Sequence, residues 1–175
     1  MAFLGRSNVG KSRLLNALAG VRNLARVSST PGRTRLVNFF RLADELYLAD
    51  LPGYGYAKVA EAERVGWERL VASYLLHRSA LALCVFLVDA RHEPSEGDET
   101  LRAFLDHHGL PYVVAATKAD KLGRGELQRK RRALTEGIGR NARAVIACSA
   151  VTGAGTSELW RAVREAAAKR RKGAA

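Results

Sequence analysis

Apolar positions along the chain switch between short continuous runs and stripes three or four residues apart, a pattern that predicts strands alternating with helices. Ala2, Phe3 and Leu4 read as the end of a strand, and Leu14, Leu15 and Leu18 as the buried stripe of a helix that stops at Gly20. Residues 36–42 and 45–49 predict two strands joined by a turn at Ala43 and Asp44, most simply a hairpin. Trp67, Leu70, Val71, Tyr74 and Leu75 have helical spacing and mark a core face. The apolar run at 81–89 is of the kind buried on both faces of a parallel sheet. Ser95, with Asp98 three positions on, predicts a capped helix start, with Leu101, Phe104 and Leu105 inward and His107 and His108 at the end. A further strand is expected at 111–117. Leu127, Leu134 and Ile138 form one side of a helix whose other faces carry Arg129, Lys130 and Arg132. Residues 144–147 read as the last strand, and Leu159, Trp160, Val163 and Ala167 as the inward side of a helix starting near Ser157.

This order predicts an α/β fold of three layers, with a mostly parallel six-stranded sheet, one antiparallel edge strand and helices on both faces. Ligands of such sheets sit at the carboxyl ends of the strands. Residues 1–168 are expected to form a single domain and residues 169–175 a basic, frayed tail. The first strand is short against the usual central strand of about five or six residues, which suggests that residues before Met1 are missing.

With 175 residues and 47% hydrophobic content, the chain can bury a sizeable core. The longest apolar run, 81–88, is far below membrane-spanning length, so neither signal peptide nor anchor is expected. Cys84 and Cys148 have no metal-ligand spacing and read as buried thiols in a reducing cytoplasm. His77, His92, His107 and His108 likewise lack ligand spacing and are expected on the surface. The net charge is +12, and it is unevenly placed: residues from Lys121 onward carry 14 Lys/Arg against 4 Asp/Glu. A localised basic surface favours a polyanionic partner such as nucleic acid; solvated helix faces are the plainer reading.

The chemistry is concentrated in a few loops. GRSNVGKS, residues 5–12, fits the phosphate-binding pattern GxxxxGKS/T. Its backbone N–H groups can close around a pyrophosphate, Lys11 can reach the outer phosphates and Ser12 offers a hydroxyl to Mg²⁺. DLPG, residues 50–53, puts a carboxylate at the end of a strand with a glycine three positions on. TKAD, residues 117–120, specifies the base: Asp120 can accept from N1–H and the 2-amino group of guanine, a pair that adenine does not present, while the stem of Lys118 lies over the ring.

These motifs, with CSA at 148–150, resemble the set of the translation-factor-related P-loop GTPases. Within that group the chain resembles the EngB-type (YihA/YsxC) ribosome-biogenesis GTP-binding proteins over essentially its whole length, through GRSNVGKS, STPGRTRLVNFF at 29–40, DLPGYGYA at 50–57 and TKAD. The resemblance implies a P-loop GTPase fold (G domain), GTP hydrolysis with Mg²⁺, and a bacterial, cytoplasmic monomer. It further implies a switch in assembly of the large ribosomal subunit precursor on its rRNA, with a need in cell division and septation.

Family roles fall on matching residues as follows. Gly5, Arg6, Ser7, Asn8, Val9, Gly10, Lys11 and Ser12 would surround the phosphates, with Lys11 on the β and γ oxygens and Ser12 on Mg²⁺. Pro31, Gly32, Arg33 and Thr34 belong to the loop that closes over nucleotide, Thr34 meeting Mg²⁺ and the γ-phosphate in the GTP state. In the stretch Asp50, Leu51, Pro52 and Gly53, Asp50 would hold Mg²⁺ through water and the Gly53 N–H would sense the γ-phosphate. Thr117, Lys118, Ala119 and Asp120 would bind guanine, and the backbone of Cys148, Ser149 and Ala150 would approach its O6. Lys11, Thr34, Gly53 and Asn8 are the residues expected to act in catalysis.

Thr117 stands where many GTPases have Asn, a change the family tolerates. Tyr54 occupies the place of the Gln that orients water in Ras-like proteins, so slow intrinsic turnover is expected. Asn8 matches an asparagine that helps hold K⁺ in related GTPases; an ordinary loop hydrogen bond is the other reading. Arg33 and Arg35 read as loop charges or RNA contacts in preference to phosphate ligands. Two other functions stay open: a nucleotide-dependent RNA- or ribosome-binding module with negligible hydrolysis, and a GTPase of tRNA modification or of a membrane, which would lack the extra domain such relatives usually carry.

Overall fold

The computed structural model describes residues 1–25, 36–42, 46–55 and 61–173, with the side chains of residues 61–64 and of Trp67 excepted. Its elements run β1 (Ala2–Gly5), α1 (Lys11–Ala19), β2 (Asn38–Leu42), β3 (Leu46–Asp50), α2 (Glu61–His77), β4 (Cys84–Asp89), α3 (Glu96–His107), β5 (Tyr112–Thr117), a 3₁₀ turn (Ala119–Lys121), α4 (Arg124–Glu136), β6 (Ala142–Ala147) and α5 (Thr156–Lys172). The sheet has six strands in the order β2-β3-β1-β4-β5-β6. Only the edge pair β2–β3 is antiparallel, and every other neighbour is parallel. The expected architecture is therefore present. The turn at Ala43 and Asp44 and the Trp67 side chain lie outside what is described.

Period-two alternation sorts the parallel strands onto two cores. Phe3, Val85, Leu87, Val113 and Ala115 face one side with α1 (Leu14, Leu15, Leu18) and α5 (Leu159, Val163, Ala166). Leu4, Phe86, Val88, Val114 and Ala116 face the other with Val71 and Leu75 of α2 and Leu101 and Leu105 of α3. Both cysteines are buried, Cys84 in the second core and Cys148 in the first. Burial pushes each thiol up to about 12, so both stay protonated and inert. All four histidines are exposed.

Helix ends follow local chemistry. Ser95 caps α3 in a full capping box with Asp98, as the spacing predicted. α5 continues through Lys172, past Lys169 where the tail was expected to begin. Lys and Arg are good helix formers and sit favourably at the negative end of the helix dipole, and Arg170 Nε donates to the Ser79 carbonyl at 3.1 Å. The strand expected from residue 81 begins at Cys84, because Leu81 N–H is taken by the Arg78 carbonyl in a turn although Leu83 is already buried.

β1 has only four residues, yet it is paired on both edges, to β3 and to β4. Its Phe3 is fully buried. Phe3→Ala is expected to cost about 3–5 kcal/mol of unfolding free energy, read from urea denaturation.

Candidate nucleotide-binding site

β1 ends in the turn that becomes the phosphate loop, and α1 starts at its far side. Asn8 and Gly10 take left-handed backbone conformations, φ 64° and 103°. Gly10 is the N-cap of α1 and no side chain caps it, so the first N–H groups of α1 point toward the loop with the positive end of the helix dipole. An L side chain at Gly10 would be strained, which is why glycine stands there.

Lys11 and Asp50 are brought together across the β1–β3 pair. Lys11 Nζ donates to Asp50 Oδ1, with the two residues 9% and 3% exposed. A buried pair of this kind is costly to break on one side only, so each charge needs a replacement partner if the other leaves. Ser12, half-buried, opens α1 alongside. Ser12 and Asp50 are hard oxygen donors of the type Mg²⁺ takes. Among the described residues no three His, Cys, Asp or Glu side chains cluster. Thr34, the third expected Mg²⁺ residue, lies outside the described residues together with Pro31, Gly32, Arg33 and Arg35.

The segment after Asp50 runs against the phosphate loop. Leu51 N–H donates to the Phe3 carbonyl at 3.2 Å, and Ser7 N–H to the Tyr54 carbonyl at 2.8 Å. Leu51 and Pro52 are buried. Gly53 is pressed so close to Ser7 that a Cβ there would stand 3.0 Å from the Ser7 nitrogen.

On the other side, the TKAD segment reaches into the phosphate loop. The Thr117 hydroxyl lies 2.6 Å from the Val9 carbonyl and 3.0 Å from that of Val88, one proton shared between two acceptors. Lys118, itself left-handed at φ 58°, donates to the Asn8 carbonyl at 2.9 Å and to Asp89 Oδ2 at 2.8 Å. Thr117 thus braces the loop from below, and Lys118 ties it from above. Asp120 Oδ1 accepts from the Ser149 hydroxyl at 2.6 Å, and that hydroxyl also receives Val151 and Thr152 N–H groups. The Ser149 bond holds the exposed Asp120 carboxyl below the usual carboxylate range. Ala119 N–H donates to the Cys148 carbonyl, so TKAD and CSA form one connected wall. A cavity of about 290 Å³ opens beside the loop, lined among others by Arg6, Asn8, Gly55, Asp89, Arg91 and Lys118.

Asp89 was missed by sequence reasoning. It closes β4 opposite Thr117, and an acid ending an apolar run at the carboxyl end of a parallel strand was the available signal. Arg91 grips both oxygens, Nε on Oδ1 at 2.9 Å and Nη2 on Oδ2 at 2.8 Å, and Lys118 shares Oδ2. Partial burial works to raise this carboxyl, but the hydrogen bonds from Arg91 and Lys118 outweigh it and hold it well below the usual range.

Residues 1–118 match the family described as 50S ribosome-binding GTPase. With the sheet order and the phosphate loop, this makes the chain a P-loop GTPase, a class that binds GTP and GDP and depends on Mg²⁺. It is 47% identical over 159 residues, 91% of this chain and 82% of the relative, to the probable GTP-binding protein EngB of Chlorobaculum parvum. It is 51% identical over 136 residues, 78% of this chain and 69% of the relative, to that of Clostridium beijerinckii. The chain belongs to the EngB family of GTP-binding proteins. The crystal structure of a probable GTP-binding protein EngB superposes with a TM-score of 0.77 at 24% identity, over 96% of this chain and 98% of that one. Era bound to MgGDPNP and nucleotides 1506–1542 of 16S ribosomal RNA gives 0.75 at 23% identity, over 93% of this chain and 54% of that one. At these identities the likeness concerns the fold.

The depressed Asp89 carboxyl fixes a sign for acid stability. Its contribution is complete above the ordinary value of about 3.9 and is lost as pH falls through the lower folded-state value. Asp89→Asn is expected to flatten the acid limb of the stability curve below about pH 4, measured by urea denaturation across pH.

Proposed function

We propose that this chain is a GTP-controlled assembly factor of the large ribosomal subunit, which engages the precursor particle in one nucleotide state and leaves in the other. The convergence of the phosphate loop, the Lys11–Asp50 pair and the Asp120–Ser149 wall at the carboxyl ends of β1, β3, β5 and β6 carries the guanine-nucleotide half of this reading. The ribosomal half is supported by the family and by the basic residues beyond Lys121. Partner precursor and rRNA contacts, the monomeric state, the cytoplasmic location and the need in septation follow from that family reading.

In the proposed cycle Lys11 exchanges Asp50 for the β and γ oxygens of GTP. The released Asp50 carboxylate, through water, with Ser12 and Thr34 would hold Mg²⁺, which would supply neutralisation of charge on the transferring phosphoryl group. Gly53 N–H reads the γ-phosphate, and Thr34 closes on it in the GTP state. Asp120 takes the N1–H and 2-amino group of guanine, while Cys148, Ser149 and Ala150 present backbone toward O6. Turnover is slow because Tyr54, in the place of a water-orienting Gln, is buried and donates to Asp98. K⁺ held by Asn8 would raise the rate. The same burial of Tyr54 favours a second reading, a ribosome-binding module with negligible hydrolysis.

Asp120→Ala is expected to weaken GDP and GTP binding about 100-fold, through loss of two hydrogen bonds to a charged acceptor. Isothermal titration with each nucleotide measures it. Multiple-turnover hydrolysis in K⁺ and in Na⁺, with and without large-subunit particles, separates the two readings: no turnover under any of these conditions leaves only the binding module. Gradient sedimentation with a GTP analogue or GDP over a salt series tests the partner. Salt-sensitive, nucleotide-dependent association with large-subunit particles is expected, and its absence in both states removes the ribosomal proposal.

A further inference from the structure

Tyr54 makes contacts that phosphate chemistry alone does not require. Its side chain is buried at 8% exposure and its hydroxyl donates to Asp98 Oδ1, on the first turn of α3. Asp98 is 7% exposed, and its other oxygen accepts from the Ser95 N–H at 2.7 Å and the Ser95 hydroxyl at 2.6 Å. One carboxylate therefore serves two structures: it completes the cap of α3 and receives Tyr54. The ring lies flat enough on α3 that a Cβ at position 97 would stand 2.9 Å from Tyr54 Cδ2, so Gly97 leaves the space the ring occupies.

The backbone of Tyr54 is held from the opposite side. Its carbonyl accepts the Ser7 N–H at 2.8 Å, and Arg6 and Tyr54 form an isolated parallel bridge. Upstream, Leu51 is pinned to Phe3 of β1. Gly53 thus lies between two anchors, one on β1 and one on the phosphate loop plus α3. Deleting the phenol hydroxyl alone would leave the buried Asp98 Oδ1 without this donor, so the two groups hold each other in place.

We propose that Tyr54 is a positioning residue for recognition of the γ-phosphate: Gly97 and Asp98 hold its side chain away from the nucleotide and so fix the Gly53 peptide beside the phosphate loop. This rests on the reading above that the Gly53 N–H meets the γ-phosphate. The clamp lowers the ordering cost of that contact, which GDP does not make. Burial, and next the Asp98 charge, push the phenol far above its ordinary range, so it remains a donor at all working pH values.

The test compares the dissociation constants of a non-hydrolysable GTP analogue and of GDP for the full chain and its variants, with thermal melting measured in parallel. Tyr54→Phe keeps the ring and deletes the hydroxyl; it is expected to weaken the GTP analogue about tenfold relative to GDP. Asp98→Ala should move the ratio in the same direction, and the double variant no further, because both delete one bond. A purely structural role would lower the melting temperature while leaving the ratio unchanged; that result in a folded Tyr54→Phe overturns the proposal, whether or not Asp98→Ala folds. Gly53→Pro, which removes the N–H itself, separates the two levels of inference. If the ratio survives Gly53→Pro, the γ-phosphate reading fails and the proposal falls with it; if it collapses there but survives Tyr54→Phe, only the positioning role falls.

Discussion

β1 is hydrogen-bonded along both edges, and that constraint organises everything built at its carboxyl end. Four residues leave little freedom: Phe3 commits to one core and Leu4 to the other, so the strand can neither slip nor rotate without turning both faces over. The loop that leaves at Gly5 inherits this rigidity. Because β3 lies on one side of β1 and β4 on the other, Asp50 and Asp89 arrive on opposite flanks of the same loop, and each meets a lysine there.

The loop is also held by groups of the stretch proposed to bind the base. Thr117 and Lys118 spend their polar atoms on the Val9 and Asn8 carbonyls, while Asp120, two residues on, faces Ser149. The two ends of a nucleotide would therefore rest on one hydrogen-bonded piece. Tyr54 extends the same piece to α3 through Asp98. Where polar side chains in this region are buried they have partners, and among the described residues no buried side-chain nitrogen or oxygen is left without one.

What could be read from sequence was whatever is local. The α3 cap needs only Ser95 and Asp98, three positions apart, and it was legible; the strand and helix order followed from period alone. The motif loops were legible because their spacing is fixed by the ligand they suit. What escaped depends on pairing at a distance. Asp98 looked finished as a cap, yet its second partner is 44 residues away. Asp89 looked like the polar end of an apolar run until Arg91 and Lys118 met on it. The inward stripe of α5 includes Ala166, and Ala167 lies at its edge, a phase that the packing of α5 on the sheet and α1 decides. Leu83, one residue before β4, is sealed in the core and its carbonyl already accepts the Ala2 N–H of β1 at 3.0 Å.

The length of α5 bears on how its charge is displayed. Leu159, Val163 and Ala166 fix the inward side, and Arg170 shares it, reaching the Ser79 carbonyl. Arg161, Arg164 and Lys172 then project from the opposite side, with Arg164 set 5.5 Å above the Trp160 ring and Trp160 itself anchored to the Leu18 carbonyl. A flexible tail carrying the same residues would spread its charge over a diffuse cloud. On a helix the intervals between the cations are those of the backbone repeat, so the outer face of α5 carries positive charge at set spacings, with the exposed Glu165 among them, before anything is laid against it.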